Sequence, residues 1–126
     1  MEEKQTVRVL LADDQANVRH ALHLLLEQEP DIIVVGEAAD ATGLLLTNST
    51  HPADVLLLDW ELPGLPLPQL LRLLRFERPS LQIIAMSSRP EAQIEALGTG
   101  AVAFLSKGAP PETVRSTLHN LKPLDT

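Results

Sequence analysis

Near the middle of the chain, Val55-Leu56-Leu57-Leu58 runs straight into Asp59, and a loop carrying Pro63 and Gly64 follows. An unbroken apolar run bounded by turn residues reads as a strand buried on both faces. This restricts the fold. A strand with no solvent face lies inside a sheet that is covered above and below. In open α/β sheets of this kind, ligands bind beyond the carboxyl ends of the strands. Asp59 stands at such an end, where a strand delivers it from the core into a loop, and is the first candidate for a reactive carboxylate.

The rest of the chain supplies the layers. Val7–Leu11 reads as a first strand, rich in aliphatic and β-branched residues. A helix follows from about Ala16 to Glu29, with Val18, Ala21, Leu22, Leu25 and Leu26 at three- and four-residue spacing. Asp14 or Asn17 is placed to cap it. Ile32–Val35 is a second strand, Gly36 to Ala39 a loop, and Asp40 the N-cap of a helix ending near Asn48. Gly43 costs that helix roughly 1 kcal/mol relative to alanine.

After Asp59 the segment Pro63-Gly64-Leu65-Pro66-Leu67-Pro68 forbids helix until its last proline; Pro66 or Pro68 can occupy the first turn, where a missing N–H costs nothing. A third helix from about Pro68 to Phe76 turns Leu70, Leu71, Leu73 and Leu74 inward. Gln82–Met86 is a fourth strand. A helix from about Pro90 to Leu97 follows, with Ser88 and Glu91 spaced as a capping box. Ala101–Leu105 is a fifth strand, and a last helix runs from Pro110 or Pro111 to about Leu121. Five alternations joined by short loops require helical crossovers between parallel strands, hence an α/β three-layer sandwich.

Composition excludes several function classes. A chain of 126 residues holds one domain. A net charge of −7 argues against binding nucleic acid directly. With no cysteine there is no disulfide, thiolate metal site or cysteine nucleophile. The N-terminus lacks a signal-peptide apolar region, and no run approaches the ~18 residues of a membrane span. The expected location is cytoplasmic, without membrane contact. His20, His23, His51 and His119 lie at scattered polar positions and read as surface residues.

The chemistry-bearing residues stand just past the strands: Asp13 and Asp14 after the first, Asp59 after the third, Ser87 after the fourth and Lys107 after the fifth. All can converge on one rim of the sheet. Crowded carboxylates raise one another's pKa unless a cation is present. An oxygen-only cluster suits Mg²⁺. With Lys107 and Ser87 alongside, the set suits phosphoryl chemistry in which a carboxylate attacks in line.

These residues carry a resemblance. Asp13-Asp14, Asp59 with Leu62-Pro63-Gly64, Ser87 and Lys107 together resemble the receiver domain of two-component response regulators, over nearly the whole chain. The segment from Gly98 to Lys107 looks most like receivers of LuxR/NarL-type transcription regulators. The resemblance implies a flavodoxin-like (βα)5 sandwich with a parallel sheet of order 2-1-3-4-5. It implies a non-enzymatic switch, phosphorylated on Asp59 by a sensor histidine kinase. Asp14, Asp59 and the Glu61 backbone carbonyl would hold Mg²⁺, with Asp13 close by. Ser87 and Lys107 would bind phosphoryl oxygens, and Phe104 would be the aromatic that swings inward. Output would pass through helix 4, strand 5 and helix 5, by homodimerisation or release of a partner domain. The chain stops at Thr126, directly after the last helix, and its LuxR/NarL-like tail favours the N-terminal part of a longer DNA-binding regulator over a free-standing one.

Four positions depart from the receiver pattern. Gly108 follows Lys107 where many receivers have a cis proline, and Ser88 replaces a small Ala or Gly. Trp60 is bulky where aliphatics are usual. Glu61 puts a carboxylate near the metal, either repelling attacking water or orienting it. Trp60 and Ser88 are therefore candidate modulators. Two rivals stand beside this reading. One is a receiver-like interaction module that no longer accepts phosphate. The other is a Mg²⁺-dependent aspartyl-phosphate hydrolase of haloacid-dehalogenase type. The hydrolase is disfavoured because its Asp-x-Asp would follow the first strand, and no cap domain is present. A nucleotide-binding fold is disfavoured by the lack of a glycine-rich fingerprint.

Overall fold

The computed structural model describes residues 6–121. The strands are β1 (Val7–Ala12), β2 (Ile32–Ala38), β3 (Val55–Asp59), β4 (Gln82–Ser87) and β5 (Ala103–Ser106). The helices are α1 (Ala16–Glu27), α2 (Ala41–Thr50), α3 (Leu67–Glu77), α4 (Ala92–Gly98) and α5 (Pro111–Asn120). The strands form one parallel sheet of order β2-β1-β3-β4-β5, the flavodoxin-like arrangement expected from the sequence.

β3 is central and buried on both faces. Val55 and Leu57 join Val9, Leu11, Ile84, Met86 and Leu105 in the core layer under α1 and α5. Leu56 and Leu58 join Leu10, Ile83 and Ala85 in the layer under α2, α3 and α4. Strict alternation along a pleated strand produces this division, and both layers draw on the same few strands. Among the described residues, no helix is long and apolar enough to cross a membrane.

Several local expectations need correction. β2 runs on through Gly36 and Glu37 to Ala38, where a loop was expected. The β1–β2 register shifts there, with Val9 opposite Val34 but Leu10 opposite Gly36. The missing Cβ explains the glycine, since an added one would meet Thr47 Cγ2 of α2 at 2.5 Å. In α3, Leu70, Leu71 and Leu74 are buried, whereas Leu73 is 42% exposed. At about 100° per residue, Leu73 falls well round the helix from the middle of that stripe. α1 ends at Glu27, and α4 begins at Ala92.

The caps divide in the same way. Asp40 caps α2 as expected, accepting from Gly43 N at 2.7 Å. Neither Asp14 nor Asn17 caps α1; its N-cap is Gln15, whose amide donates to Asp13 Oδ1 at 2.9 Å. The Ser88–Glu91 capping box does not form. Glu91 is itself the N-cap of α4, in helical conformation and with no side-chain cap bond, while Ser88 is exposed.

The proline-rich entry to α3 is an irregular helix start. Pro66 is the N-cap, and Leu65 and Leu67 pack against the core. The preceding turn is pinned to α2, because Pro63 O accepts the Ala41 N–H at 2.9 Å. One otherwise unpaired amide of the α2 first turn is thereby satisfied.

Candidate functional site

Asp13, Asp59, Ser87 and Lys107 converge on one rim, at the carboxyl ends of β1, β3, β4 and β5. Asp13 and Asp59 are essentially inaccessible, at 0% and 1% exposure. Lys107 Nζ lies 2.8 Å from Asp13 Oδ2 and 3.3 Å from Asp59 Oδ1. The Lys107 backbone is anchored too, its N–H donating to Ser87 O at 3.0 Å. Gly108 closes a small turn beneath it, with Gly108 N donating to Ser106 Oγ. No cis peptide occurs among the described residues.

Burial pushes the Asp59 carboxyl above its ordinary value. The Glu61 amide, donating to Asp59 Oδ1 at 3.0 Å, opposes the rise, and the neighbouring charge of Asp13 adds to it. Lys107 pulls the other way, by charge and hydrogen bond, without cancelling the effect of burial. Burial works against the Lys107 ammonium, but the Asp13 hydrogen bond and the two carboxylate charges outweigh it and leave its pKa raised.

Asp14 is exposed, yet its carboxylate completes a cluster with Asp13 and Asp59 whose ligand oxygens all lie within 4.8 Å of one another. Three carboxylates facing one ammonium leave an excess of negative charge. The donors are hard oxygens, as Mg²⁺ requires. The residues therefore fit a magnesium ion.

Ser87, 1% exposed, is engaged by a residue whose role the sequence left open. Its Oγ donates to the Glu61 carboxylate, at 3.0 Å from Oε2, and accepts the Arg89 N–H at 3.0 Å. The Arg89 side chain grips the same carboxylate, with Nε at 3.1 Å and a terminal nitrogen at 2.9 Å. The hydrogen bond that Arg89 donates to Glu61 raises the Arg89 pKa above its ordinary value. Sequence reasoning missed Arg89. The available signal was its offset: Glu61 and Arg89 stand two residues after Asp59 and Ser87, on adjacent parallel strands and with opposite charge.

Trp60, next to Asp59, is buried among the α4-side core residues and donates from Nε1 to Glu95 of α4 at 3.0 Å. Phe104, opposite Ala85 in β4, is partly buried against the same layer. Glu37 is not among the clustered carboxylates and pairs with Arg19 and His23 of α1, while Arg19 also donates to the Asp13 carbonyl at 2.7 Å.

A family model for the response regulator receiver domain matches residues 9–119. The chain belongs to this family. Phosphorylation and magnesium binding are general features of receivers, which are as a rule not enzymes and interact with histidine kinases. The receiver is 34% identical over 122 residues to the nitrate/nitrite response regulator NarL of Escherichia coli, covering 94% of this chain and 56% of the relative. It is 36% identical over 107 residues to a protein-glutamate methylesterase/protein-glutamine glutaminase of Rhodopseudomonas palustris, covering 82% of this chain and 30% of that protein. The chain thus spans only about half, or less, of these curated relatives. The signal receiver domain of a NarL response regulator from Mycobacterium tuberculosis superposes with a TM-score of 0.79 at 30% identity, covering 91% of this chain and 95% of that one.

Proposed function

We propose that Asp59 is the phosphoacceptor of this receiver and that the domain works as a switch rather than a catalyst. The observation that carries the reading is the buried Asp59 carboxylate, held 3.3 Å from Lys107 and clustered with Asp13 and Asp14. In the transfer, an Asp59 oxygen attacks the phosphorus of a kinase phosphohistidine. A P–O bond forms as the P–N bond breaks, and the imidazole leaves with its electron pair. Asp14, Asp59 and the Glu61 backbone carbonyl would hold Mg²⁺, with Asp13 beside them. When bound, the ion neutralises charge on the phosphoryl oxygens. The Lys107 ammonium pairs with one of those oxygens, and the Ser87 hydroxyl donates to another.

The new dianion then biases the loop after β4. Phe104 moves inward as Ser87 turns toward the phosphoryl group, and the α4–β5–α5 face changes. That face would carry homodimerisation, or contact with a further domain in a transcription regulator of NarL type. Such a regulator acts in the cytoplasm, and this domain does not itself touch nucleic acid.

The test is treatment with acetyl phosphate and Mg²⁺ followed by intact mass. One phosphoryl adduct is expected, lost in Asp59→Asn. No adduct under conditions that label a control receiver would make the chain an interaction module instead.

A further inference from the structure

The Ser87 hydroxyl has a single hydrogen and so a single donor bond to give. In this structure that bond goes to Glu61, through the contacts of 3.0 and 3.2 Å to its two carboxylate oxygens. The other side of the oxygen is occupied by the Arg89 N–H. Arg89 then returns to Glu61 through two nitrogens of its guanidinium, so a ring closes from Ser87 to Glu61 to Arg89 and back to Ser87. Ser87 is buried, while the Glu61 and Arg89 side chains are 41% and 48% exposed. The ring thus lies between solvent and the hydroxyl at the end of β4. A hydroxyl donating to Glu61 cannot at the same time donate to a phosphoryl oxygen on Asp59.

We propose that Glu61 is a positioning residue that holds Ser87 in the resting geometry, with Arg89 as its counter-ion, so that phosphorylation must win the hydroxyl away from Glu61. The proposal rests on the reading of Asp59 as phosphoacceptor. It gives Glu61 a role distinct from repelling or orienting water. The competition is for one proton, and the ring ties its outcome to Arg89 in the loop between β4 and α4. Phosphorylation then leaves the Glu61–Arg89 ion pair without its third member, which frees the start of the loop leading into α4.

The distinction between a hydrogen-bond competitor and a plain negative charge is open to measurement. Beryllofluoride, which forms a phosphoryl-like adduct on an aspartate, is titrated with Mg²⁺ into the full chain and into E61A, E61Q, S87A and the E61A/S87A double variant. E61A is expected to bind about fivefold more tightly than the unaltered chain, the size of a partly exposed charged contact. E61Q keeps an oxygen that accepts from Ser87 and should fall between the two. In the S87A background there is no hydroxyl to release, so E61A should add little. Equal tightening by E61A with and without the Ser87 hydroxyl, or E61Q matching E61A, would reduce Glu61 to a repulsive charge and overturn the proposal alone. Failure of the unaltered chain and of every variant to bind would instead remove the phosphoacceptor reading, and the proposal with it. A second readout needs no phosphoryl mimic. The Arg89 Nε–H should exchange slowly in the resting protein and quickly in E61A; equal exchange in both would show that the ring does not persist in solution, and would also overturn the proposal.

Discussion

The Trp60 indole donates to the Glu95 carboxylate at 3.0 Å, so the residue after Asp59 is hydrogen-bonded to the middle of α4. Trp60 is 5% exposed and belongs to the same buried core layer as Ala92 and Ala96 of that helix. Its backbone N–H is held by Met86 O of β4 at 2.8 Å. One side chain therefore joins the acceptor strand to the helix expected to carry output. Trp60 is also the only tryptophan in the chain. Its emission should change when acetyl phosphate and Mg²⁺ are added, and should not change in Asp59→Asn. In Glu95→Ala the resting emission should already differ, and the change on phosphorylation should shrink. That substitution should cost about 1 kcal/mol of stability through the lost hydrogen bond, measured by urea denaturation. An unaltered emission change in Glu95→Ala would show that the bond carries nothing between Asp59 and α4.

The raised pKa of Asp59 makes its charge a cost to the fold. A carboxyl with a folded-state pKa above its unfolded value favours folding in its protonated form. The contribution is full below the ordinary value of 3.8 and is lost as pH rises through the raised one. At neutral pH Asp59→Asn should therefore be more stable than the parent, and the gap should close as pH falls through that window. Thermal melts across pH, without divalent cations, check the sign. Millimolar Mg²⁺ should narrow the gap from the other side, by stabilising the parent more than the variant.

Lys107 has the opposite effect on the same carboxylates. It is the ammonium within 3.3 Å of both Asp13 and Asp59, and Lys107→Met leaves two buried carboxylates without it. Removing one partner of a buried pair typically costs about 3–5 kcal/mol. Solvent screening at the rim, where Lys107 is 16% exposed, places this case at or below the lower end. Mg²⁺ should recover part of the loss, since it is drawn to the same oxygens. Because pairing raises the Lys107 pKa, its stabilisation is present below the ordinary 10.5 and disappears only as pH rises through the raised value. The difference between parent and Lys107→Met should thus persist across neutral pH. Equal melting temperatures at pH 7 without Mg²⁺ would mean that the ion pairs contribute nothing.

The parts of this architecture that were legible in the sequence are those in which one signal serves two purposes. The Val55–Leu58 run specifies both a strand and its burial on two faces. The residues after β1, β3, β4 and β5 meet because parallel strands place all their carboxyl ends on one rim. Signals with two available partners read less well. Ser88 and Glu91 have the spacing of a capping box, but the Arg89 amide bonds Ser87 Oγ and the helix starts later, at Ala92. Asp14 had the right type for a cap, whereas Asp13 takes the Gln15 amide. The ring through Arg89 was legible only as a matching offset and opposite charge; whether Glu61 and Arg89 meet depends on how far two loops lean toward each other above neighbouring strands. Periodicity carries no information about that distance.

Two glycines offer a matched test of the loops that frame the site. Gly64 has φ of +120°, in the region that favours glycine, and an added Cβ would stand 3.0 Å from Ala41 Cβ and 3.1 Å from its nitrogen. Both contacts are with the α2 turn whose amide Pro63 O accepts, so relief would require the loop after β3 to move off α2. Gly98 is the last residue of α4, without positive φ, and its Cβ would meet nothing within 4 Å. Gly64→Ala should therefore destabilise by about 1–3 kcal/mol, as strain at such backbone positions does. Gly98→Ala should stabilise by about 0.4–1 kcal/mol by restricting the unfolded chain and favouring helix. Urea midpoints at constant slope measure both. Because the Gly64 loop continues from Asp59 through Leu62, Gly64→Ala should also slow adduct formation by acetyl phosphate, while Gly98→Ala should leave that rate unchanged. The opposite pattern of rates would place control of the acceptor in α4 rather than in the loop that follows β3.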